Sequence, residues 1–565
     1  MTGAAYGSDV IVDLLADLGI DLIPFAPGAT FRGIHDSLVQ RSGAAPEIIE
    51  CLHEEISVAV AHGYAKATNR IAAVALHDIV GLQHAAMAIY NAWCDRVPLL
   101  LLGGTGPVDA AKRRPWIDWI HTANVQATQV RDYTKWDDQP ASLPAVVESL
   151  IRGVRLAEAA PQGPVYITID SETQEEPVPE GFAALAASGY AVPAGIAAPA
   201  EAVRRMVDRL LAAERPLIAV ESVGRDQQAL HDLVAVAELL GAPVVEVQRD
   251  YNRTELCFPT QHPLNLSGIP LPDRPDLVLA LDVRDVAVIP GAGDAPVIQV
   301  TLAALAVKAW AADLQRIQPT EQLLHAEVPS VLAAIRAELA GRDAPRVAGW
   351  GDRLAELAAS HRSAWRQEAA RSQDGITPAF LAERLDAATR DHDRVLANGT
   401  LHNWVHRLWR IDSVTGYLGS SGGAGLGYGL GASVGAALAH RGTGRLVVDI
   451  QSDGDALMSP QALWTAARHR VPLLVVLENN RRWGNSYMHA ERIATARARS
   501  TEHIGVGTLI DDPAVDFAGL ARSFGVRSAF TVDDPAALDG VLAEAVAAVL
   551  RGEPAVVDVI TRYEG

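Results

Sequence analysis

The stretch QSDGDALMSPQALWTAARHRVPLLVVLENN (451–480) sets Asp453, Gly454 and Asp455 at one end and Asn479 and Asn480 at the other. Its flanks RLVVDIQ (445–451) and VPLLVVLENN (471–480) are apolar and rich in β-branched residues, as buried strands are. Between them, SPQALWTAARHR opens with serine and proline and continues with helix formers, a helix-start signal. Strand, acidic turn, helix, strand is a βαβ crossover, whose parallel strands bring Asp453 and Asn480 to neighbouring carboxyl ends. That edge is where open α/β sheets bind ligands. A carboxylate, an amide oxygen and a main-chain carbonyl converging there suit a hard cation such as Mg2+, which takes oxygen ligands and shares its shell with water and phosphates. Gly454 has no Cβ to keep a phosphate off the backbone. The same spacing also suits a solvated acidic turn followed by an asparagine cap, and spacing alone does not choose between them.

The pattern resembles the cofactor signature of the thiamine diphosphate (ThDP) enzymes, a Gly-Asp-Gly start and an Asn-Asn end, with Ser452 in place of the first glycine. The resemblance implies that Asp453, Asn480 and the carbonyl of Arg482 hold Mg2+ on the cofactor's diphosphate, with Gly454, Asp455 and Trp483 beside it. APGATFRGIHDSL (26–38) and EIIECLHEEISVAVAHGYAKAT (47–68) resemble the pyrimidine-binding domain of the benzoylformate decarboxylase and acetohydroxyacid synthase group. In that group a glutamate lies a fixed distance ahead of Gly-Tyr-Ala, which at Gly63 selects Glu54 rather than Glu55. A carboxylate bonded to the aminopyrimidine stabilises the imino tautomer that removes the thiazolium proton and gives the ylid. The same resemblance puts Pro27 and Gly28 against the cofactor and makes His77, at the end of the apolar strand in ALHD, an active-site histidine that orients a substrate carboxylate or moves protons. Ala29 stands where the benzoylformate enzyme has a catalytic serine. GGAGLGYGLG (422–431) resembles the loop beneath the cofactor, with Ala424 in contact and Leu426 as the bulky residue that bends it; an ordinary core leucine is the other reading of Leu426. Thr400 and Leu401, in NGTLHNW (398–404), match positions that touch the diphosphate or pyrimidine.

The implied reaction is decarboxylation of a 2-oxo acid through the ylid and an enamine, which is then protonated to an aldehyde or adds to a second carbonyl. Cleavage of a C–C bond in a diketone or 2-hydroxyacyl compound by the same cofactor is the alternative. On the substrate side, RRWGNSYMHAERIATARARSTEHIGVGTLIDDP (481–513) is basic before its acidic end, and Asn485, Tyr487 and His489 are its polar residues expected to reach the reactive face. Its arginines suit a substrate carboxylate or a solvated lid helix. RRPWIDWIHTANVQ (113–126) is the second candidate wall, with His121 in the region that supplies a pocket residue in the synthase branch. GSSGG (419–423) fits G-x-S-x-G, which makes a serine hydrolase built on Ser421 a distant alternative. HEEIS lacks the second histidine of a zinc motif, and no G-x-G-x-x-G occurs.

These motifs need parallel sheets to carry them, and 565 residues, 49% hydrophobic, have room for three to four domains. The expected architecture is α/β: three consecutive doubly wound parallel-sheet domains. They are a pyrimidine-binding domain (1–185), a middle domain (195–345) with strands PLIAVES, APVVEVQ, DLVLALD and PVIQVTL, and a diphosphate- and Mg-binding domain (372–565). A Pro, Gly and Ala-rich linker (175–200) and a charged helical stretch (345–373) separate them. The middle domain has no glycine-rich phosphate loop, so no FAD is expected. A net charge of -20 disfavours nucleic acid as a partner. No apolar run spans a bilayer, and the amino terminus lacks the basic segment of a signal peptide. Cys51, Cys94 and Cys257 are scattered, as in a reducing compartment, and a cytoplasmic protein is expected. Because Glu54 and Asp453 lie on different domains, the resemblance implies their pairing across subunits: a homodimer at minimum, with a homotetramer common in the group.

Overall fold

The computed structural model describes residues 4–247, 253–303, 318–342, 349–372 and 375–562. Three parallel sheets follow one another along the chain. The first holds β1 (Leu22–Phe25), β2 (Glu47–Glu50), β3 (Ala72–Leu76), β4 (Leu99–Thr105), β5 (Trp136–Asp138) and β6 (Val165–Asp170), in the order β2-β1-β3-β4-β6-β5. The middle sheet holds β7 (Pro216–Val220), β8 (Val244–Glu246), β9 (Leu277–Leu281), β10 (Val297–Val300) and β11 (Gln322–Leu324), in the order β11-β10-β9-β7-β8. The third holds β12 (Arg394–Asn398), β13 (Leu446–Ser452), β14 (Leu473–Asn479), β15 (Ser528–Val532) and β16 (Ala555–Ile560), in the order β12-β13-β14-β16-β15. Central strands such as β4 and β14 are buried along their whole length, which is why they read as unbroken apolar runs. Among the described residues no helix is long and apolar enough to cross a membrane.

The first and third domains meet through two helices, Glu54–Thr68 and Tyr428–Ala439, whose apolar side chains share one core. Glycine permits the close approach: a Cβ on Gly63 would overlap the Ala432 carbonyl, and one on Gly435 the Val60 carbonyl. Next to this crossing lies a fully buried ionic cluster. Lys66 Nζ donates to Asp95 Oδ2 (3.1 Å) and to the carbonyls of Gly419 and Ser420 (both 3.2 Å), and His62 Nε2 lies 2.9 Å from the same carboxylate. Burial pulls Lys66 down to about 8 and His62 to about 4, so Lys66 remains the cation that balances Asp95 at neutral pH. Because Asp95 also accepts the Gly422 N–H, the cluster pins the glycine loop of the third domain to the first.

The helix contact gives a first prediction. Gly435→Val forces a side chain into backbone and is expected to destabilise the chain by about 3 kcal/mol, seen as a lower thermal midpoint. Gly540→Ala, in the helix Leu538–Leu550 with open space around it, is the control and is expected to hold or raise the midpoint.

Candidate functional site

β13 runs out at Ser452 beside Glu478 of β14, so Asp453 and Asn480 emerge from adjacent carboxyl ends of one parallel sheet. The acidic triplet forms the first turn of a six-residue helix, Asp453–Met458, rather than the free turn expected from sequence. Acidic residues are favourable there, where the helix dipole is positive. Asp453 Oδ1 accepts the Gly454 N–H (2.8 Å), and Oδ2 accepts the Arg482 N–H (3.2 Å). Asn480 Oδ1 accepts that same Arg482 N–H at 3.1 Å, so one main-chain donor gathers oxygens from both strand ends. Burial pushes the Asp453 carboxyl up to about 6, and Glu478 adds to the effect. Among the described residues no ion pair supplies Asp453 with a cation. A buried carboxylate beside an amide oxygen, without a basic partner, fits a divalent oxygen-loving cation. Asp453 and Asn480 are the residues that would hold Mg2+.

Several expected contacts take a different form. Arg482, whose carbonyl is the expected ligand, also brings its N–H to the cluster, and its guanidinium lies 4.9 Å from the centre of the Tyr487 ring. The space left by the missing Cβ of Gly454 is filled by the Trp483 indole, so that glycine makes room for an aromatic ring. Asp455 anchors the glycine loop: it accepts from the Gly427 N–H (2.6 Å) and from Gln451 Nε2 (2.7 Å). Behind it runs a buried amide network in which Asn398 Nδ2 donates to Asp449 Oδ1 (3.1 Å) and Gln451 Oε1 (2.8 Å). Asn398, Asp449 and Gln451 escaped the sequence reading, although polar residues inside otherwise apolar strands signal such a network.

The loop 419–427 is clamped from the other side, where Asn91 exchanges two hydrogen bonds of 3.2 Å with the N–H and carbonyl of Gly425. Ala424 adopts a left-handed φ of 50°. Leu426 is 42% exposed, which rules out the core-leucine reading and leaves an apolar post standing free in a loop of glycines. At the end of β12, Leu401, His402 and Asn403 are consecutive left-handed residues, with φ of 50°, 54° and 67°. Each costs on the order of 1 kcal/mol, and such strain gathers at functional sites. Thr400 and Leu401 are buried there, while His402, another residue missed in sequence, reaches Glu478 at 3.1 Å.

In the first domain, His53 caps the helix that Glu54 begins. Glu54 Oε2 lies 3.1 Å from His84 Nδ1, and no hydrogen bond or ion pair of the described residues joins it to the Asp453 cluster. The acid beside the glycine loop of its own chain is Glu55, whose carboxyl is pushed up to about 7 by burial and by Asp455. Pro27 is exposed, and the missing Cβ of Gly28 makes room for the His77 ring. Both His77 nitrogens are engaged, Nδ1 by Thr30 Oγ1 at 3.0 Å and Nε2 by His121 Nδ1 at 3.2 Å.

Asn485, Tyr487 and His489 ride on the helix Gly484–Ala496, none of whose residues is buried. They do not share a face: Asn485 and His489 are one turn apart, while Tyr487 lies on the opposite side, toward Arg482. Ser421 is buried, and its Oγ has no hydrogen-bond partner among the described residues. No base among the described residues is placed to activate Ser421, so the geometry does not favour the hydrolase reading. A cavity of about 330 Å3 opens at the carboxyl edge of the middle sheet. Its Arg96 pairs with Asp282 and its Arg284 with Glu221 (2.5 Å), so these charges are already balanced.

Comparison with known proteins agrees with this geometry. The N-terminal TPP binding domain of the thiamine pyrophosphate enzymes matches residues 5–131, and the C-terminal TPP binding domain matches residues 397–559. The chain belongs to the thiamine diphosphate enzymes. It is 28% identical over 534 residues to a benzoylformate decarboxylase of Pseudomonas aeruginosa, covering 90% of this chain and 91% of that one. To a probable chloroplastic acetolactate synthase 2 of Oryza sativa subsp. japonica it is 25% identical, over 93% of this chain and 79% of the relative. The fold of this ThDP family member is shared with the benzoylformate decarboxylase of Polynucleobacter necessarius (TM-score 0.80, 20% identity, 99% of both chains). It is shared also with the ThDP-dependent 4-hydroxybenzoylformate decarboxylase of Rhodococcus jostii RHA1 (TM-score 0.78, 21% identity, 99% of this chain and 100% of that one).

Proposed function

We propose that this enzyme uses ThDP and Mg2+ to decarboxylate a 2-oxo acid, and that benzoylformate is the first substrate to try. The observation that carries the reading is the pair of oxygens, Asp453 Oδ2 and Asn480 Oδ1, gathered on one N–H at adjacent strand ends with no cation of their own. The likeness to benzoylformate decarboxylase over nine-tenths of both chains supports the substrate class. When bound, ThDP supplies the electron sink for the pair left as CO2 departs. The chain's residues do the rest. Asp453 and Asn480 would hold the metal, Leu426 would pack against the cofactor, and Glu54 would offer a carboxylate to its aminopyrimidine. Release of an aldehyde or addition to a second carbonyl is decided on the substrate side, where Trp119 and Ile120 stand exposed beside His121 and offer an apolar wall.

Glu54 engages His84 rather than the Asp453 cluster, which supports a homodimer in which each copy's Glu54 serves its partner's metal site, and a homotetramer as a pair of such dimers. Three free cysteines accord with a cytoplasmic setting. The test is calorimetric titration of metal-stripped protein with ThDP, with and without Mg2+, followed by CO2 release from benzoylformate. Tight binding only with Mg2+, then CO2, is expected; no binding in either condition overturns the reading. Leu426→Ala is expected to lower kcat roughly tenfold by loosening the cofactor's position while leaving the thermal midpoint in place, because the side chain is exposed.

A further inference from the structure

His77 precedes the helix Asp78–Cys94 and meets His121 edge to face, ring centres 5.3 Å apart at 71°. The site is built around this pair. A Cβ on Gly28 would overlap the His77 ring, and one on Gly104 would overlap the Thr30 hydroxyl. The Ile79 N–H donates to the His121 carbonyl (3.3 Å), which ties the wall 113–126 to the start of the helix. Asp78, fully buried, takes a φ of 43°, a left-handed conformation that non-glycine residues adopt rarely. Neither of its carboxylate oxygens has a hydrogen-bond partner among the described residues, and Oδ1 lies 3.3 Å from where a Cβ on Gly104 would sit. Burial pushes Asp78 up to about 7, with Thr30 opposing and Asp118 adding, so a share of these groups keeps its proton at neutral pH.

An imidazole with both nitrogens bonded cannot reach out to a substrate. It can pass a proton from one neighbour to the other. His77 has that arrangement, Thr30 on one side and His121 on the other, whereas His121 is only half-buried and no hydrogen bond of the described residues uses its Nε2. The substrate role expected for His77 therefore moves outward by one residue. On the reading of the chain as a 2-oxo acid enzyme, we propose that His121 is the acid–base group that meets the substrate, and that His77, held at Nδ1 by Thr30, is its positioning residue and relays a proton to it. As the aldehyde C–H bond forms, its proton leaves His121 Nε2. His121 Nδ1 draws one from His77 Nε2, and His77, whose Nδ1 stays bonded to Thr30 Oγ1, is left as the neutral imidazole. After product departs, water returns a proton by the same route in reverse, and no electrons change hands.

The groups that face His77 are His121 and Asp118 on the 113–126 wall, Glu54 on the helix Glu54–Thr68, and Asp78 and Thr30. Burial and the His121 charge hold His77 below the usual imidazole range, while Glu54 and Asp118 oppose them. Two coupled imidazoles must titrate together.

The test is an NMR titration of the full chain carrying 15N-labelled histidine, without cofactor or substrate, for wild type, His77→Gln and Thr30→Val. In wild type the His121 signal is expected to follow two steps. In His77→Gln it follows one, and in Thr30→Val the Nδ1 shift of His77 changes. A His121 curve identical in wild type and His77→Gln overturns the relay. With ThDP, Mg2+ and benzoylformate, His121→Gln is expected to lose roughly 100-fold in kcat with little change in KM, and His77→Gln to move the kcat pH profile with KM unchanged. Wild-type kcat in His121→Gln overturns the assignment of His121. Coupled titration without CO2 from any 2-oxo acid overturns the substrate role of His121 together with the reading it rests on, whereas CO2 release with uncoupled histidines overturns the relay alone.

Discussion

Replacing Asp453 by asparagine is expected to weaken Mg2+-dependent binding of ThDP by roughly 100-fold, about 2.8 kcal/mol, and to leave the apoprotein folded. The carboxylate is the only charged oxygen of the Asp453–Asn480 pair, so its loss removes most of the attraction for a divalent cation. The fold survives because an asparagine oxygen can still accept the Gly454 N–H, and because the Arg482 N–H keeps its second acceptor, Asn480 Oδ1. Removing a buried carboxylate that no basic side chain compensates also relieves a desolvation cost, so the thermal midpoint of the apoprotein holds or rises. Isothermal titration with ThDP at saturating Mg2+ checks the first part, and a thermal melt without metal checks the second. Unchanged affinity would return the acidic triplet to a solvated helix start with an asparagine cap.

Most of the frame that carries this site is legible in the sequence. Strands at the centre of a parallel sheet are covered on both faces and read as apolar runs, which is why β6, β7, β9, β13 and β14 stand out. At the edges, β8 and β12 are still buried and read as apolar runs, but three other edge strands have no such signature. Glu47–Glu50, Trp136–Asp138 and Gln322–Leu324 lie at sheet edges, are short and carry polar residues, and only their pairing with β1, β6 and β10 marks them as strands. The types and positions of Asp453, Asn480 and Glu54 follow from spacing and resemblance, because the crossover geometry that unites strand ends is common to parallel sheets. What spacing does not contain is the direction of a side chain. Gly454 could be read as room for a phosphate, yet Trp483, brought back by the chain after β14, takes that room. Asn485, Tyr487 and His489 looked like one polar group, yet helical periodicity divides them between two faces. His77 and His121 stand 44 residues apart, and their contact depends on a missing Cβ at Gly28, which sequence patterns do not expose.

Glu54→Gln should keep ThDP while slowing exchange of the thiazolium proton at least 100-fold, within the range expected when a positioned acid–base group is lost. Glutamine preserves the length and hydrogen-bonding shape of the side chain, so its contact with His84 persists and binding changes only a few-fold. It cannot take up the charge that the activated pyrimidine requires. Hydrogen–deuterium exchange at the thiazolium carbon, followed by NMR on acid-quenched holoenzyme, separates the two effects, and wild-type exchange would remove Glu54 from its role. The neighbouring Glu55→Gln is the control that makes the test specific. Glu55 faces Gly427 and Asp455 of its own chain, so exchange should stay at the wild-type rate. Its effect belongs instead to stability. Burial raises the Glu55 carboxyl from 4.5 to about 7, so the folded chain disfavours its charged form. In wild type, that disfavour grows as pH rises from the lower value to the higher and is complete above it. Glu55→Gln lacks this loss, and its thermal midpoint should exceed that of wild type at pH 8 and converge with it near pH 4.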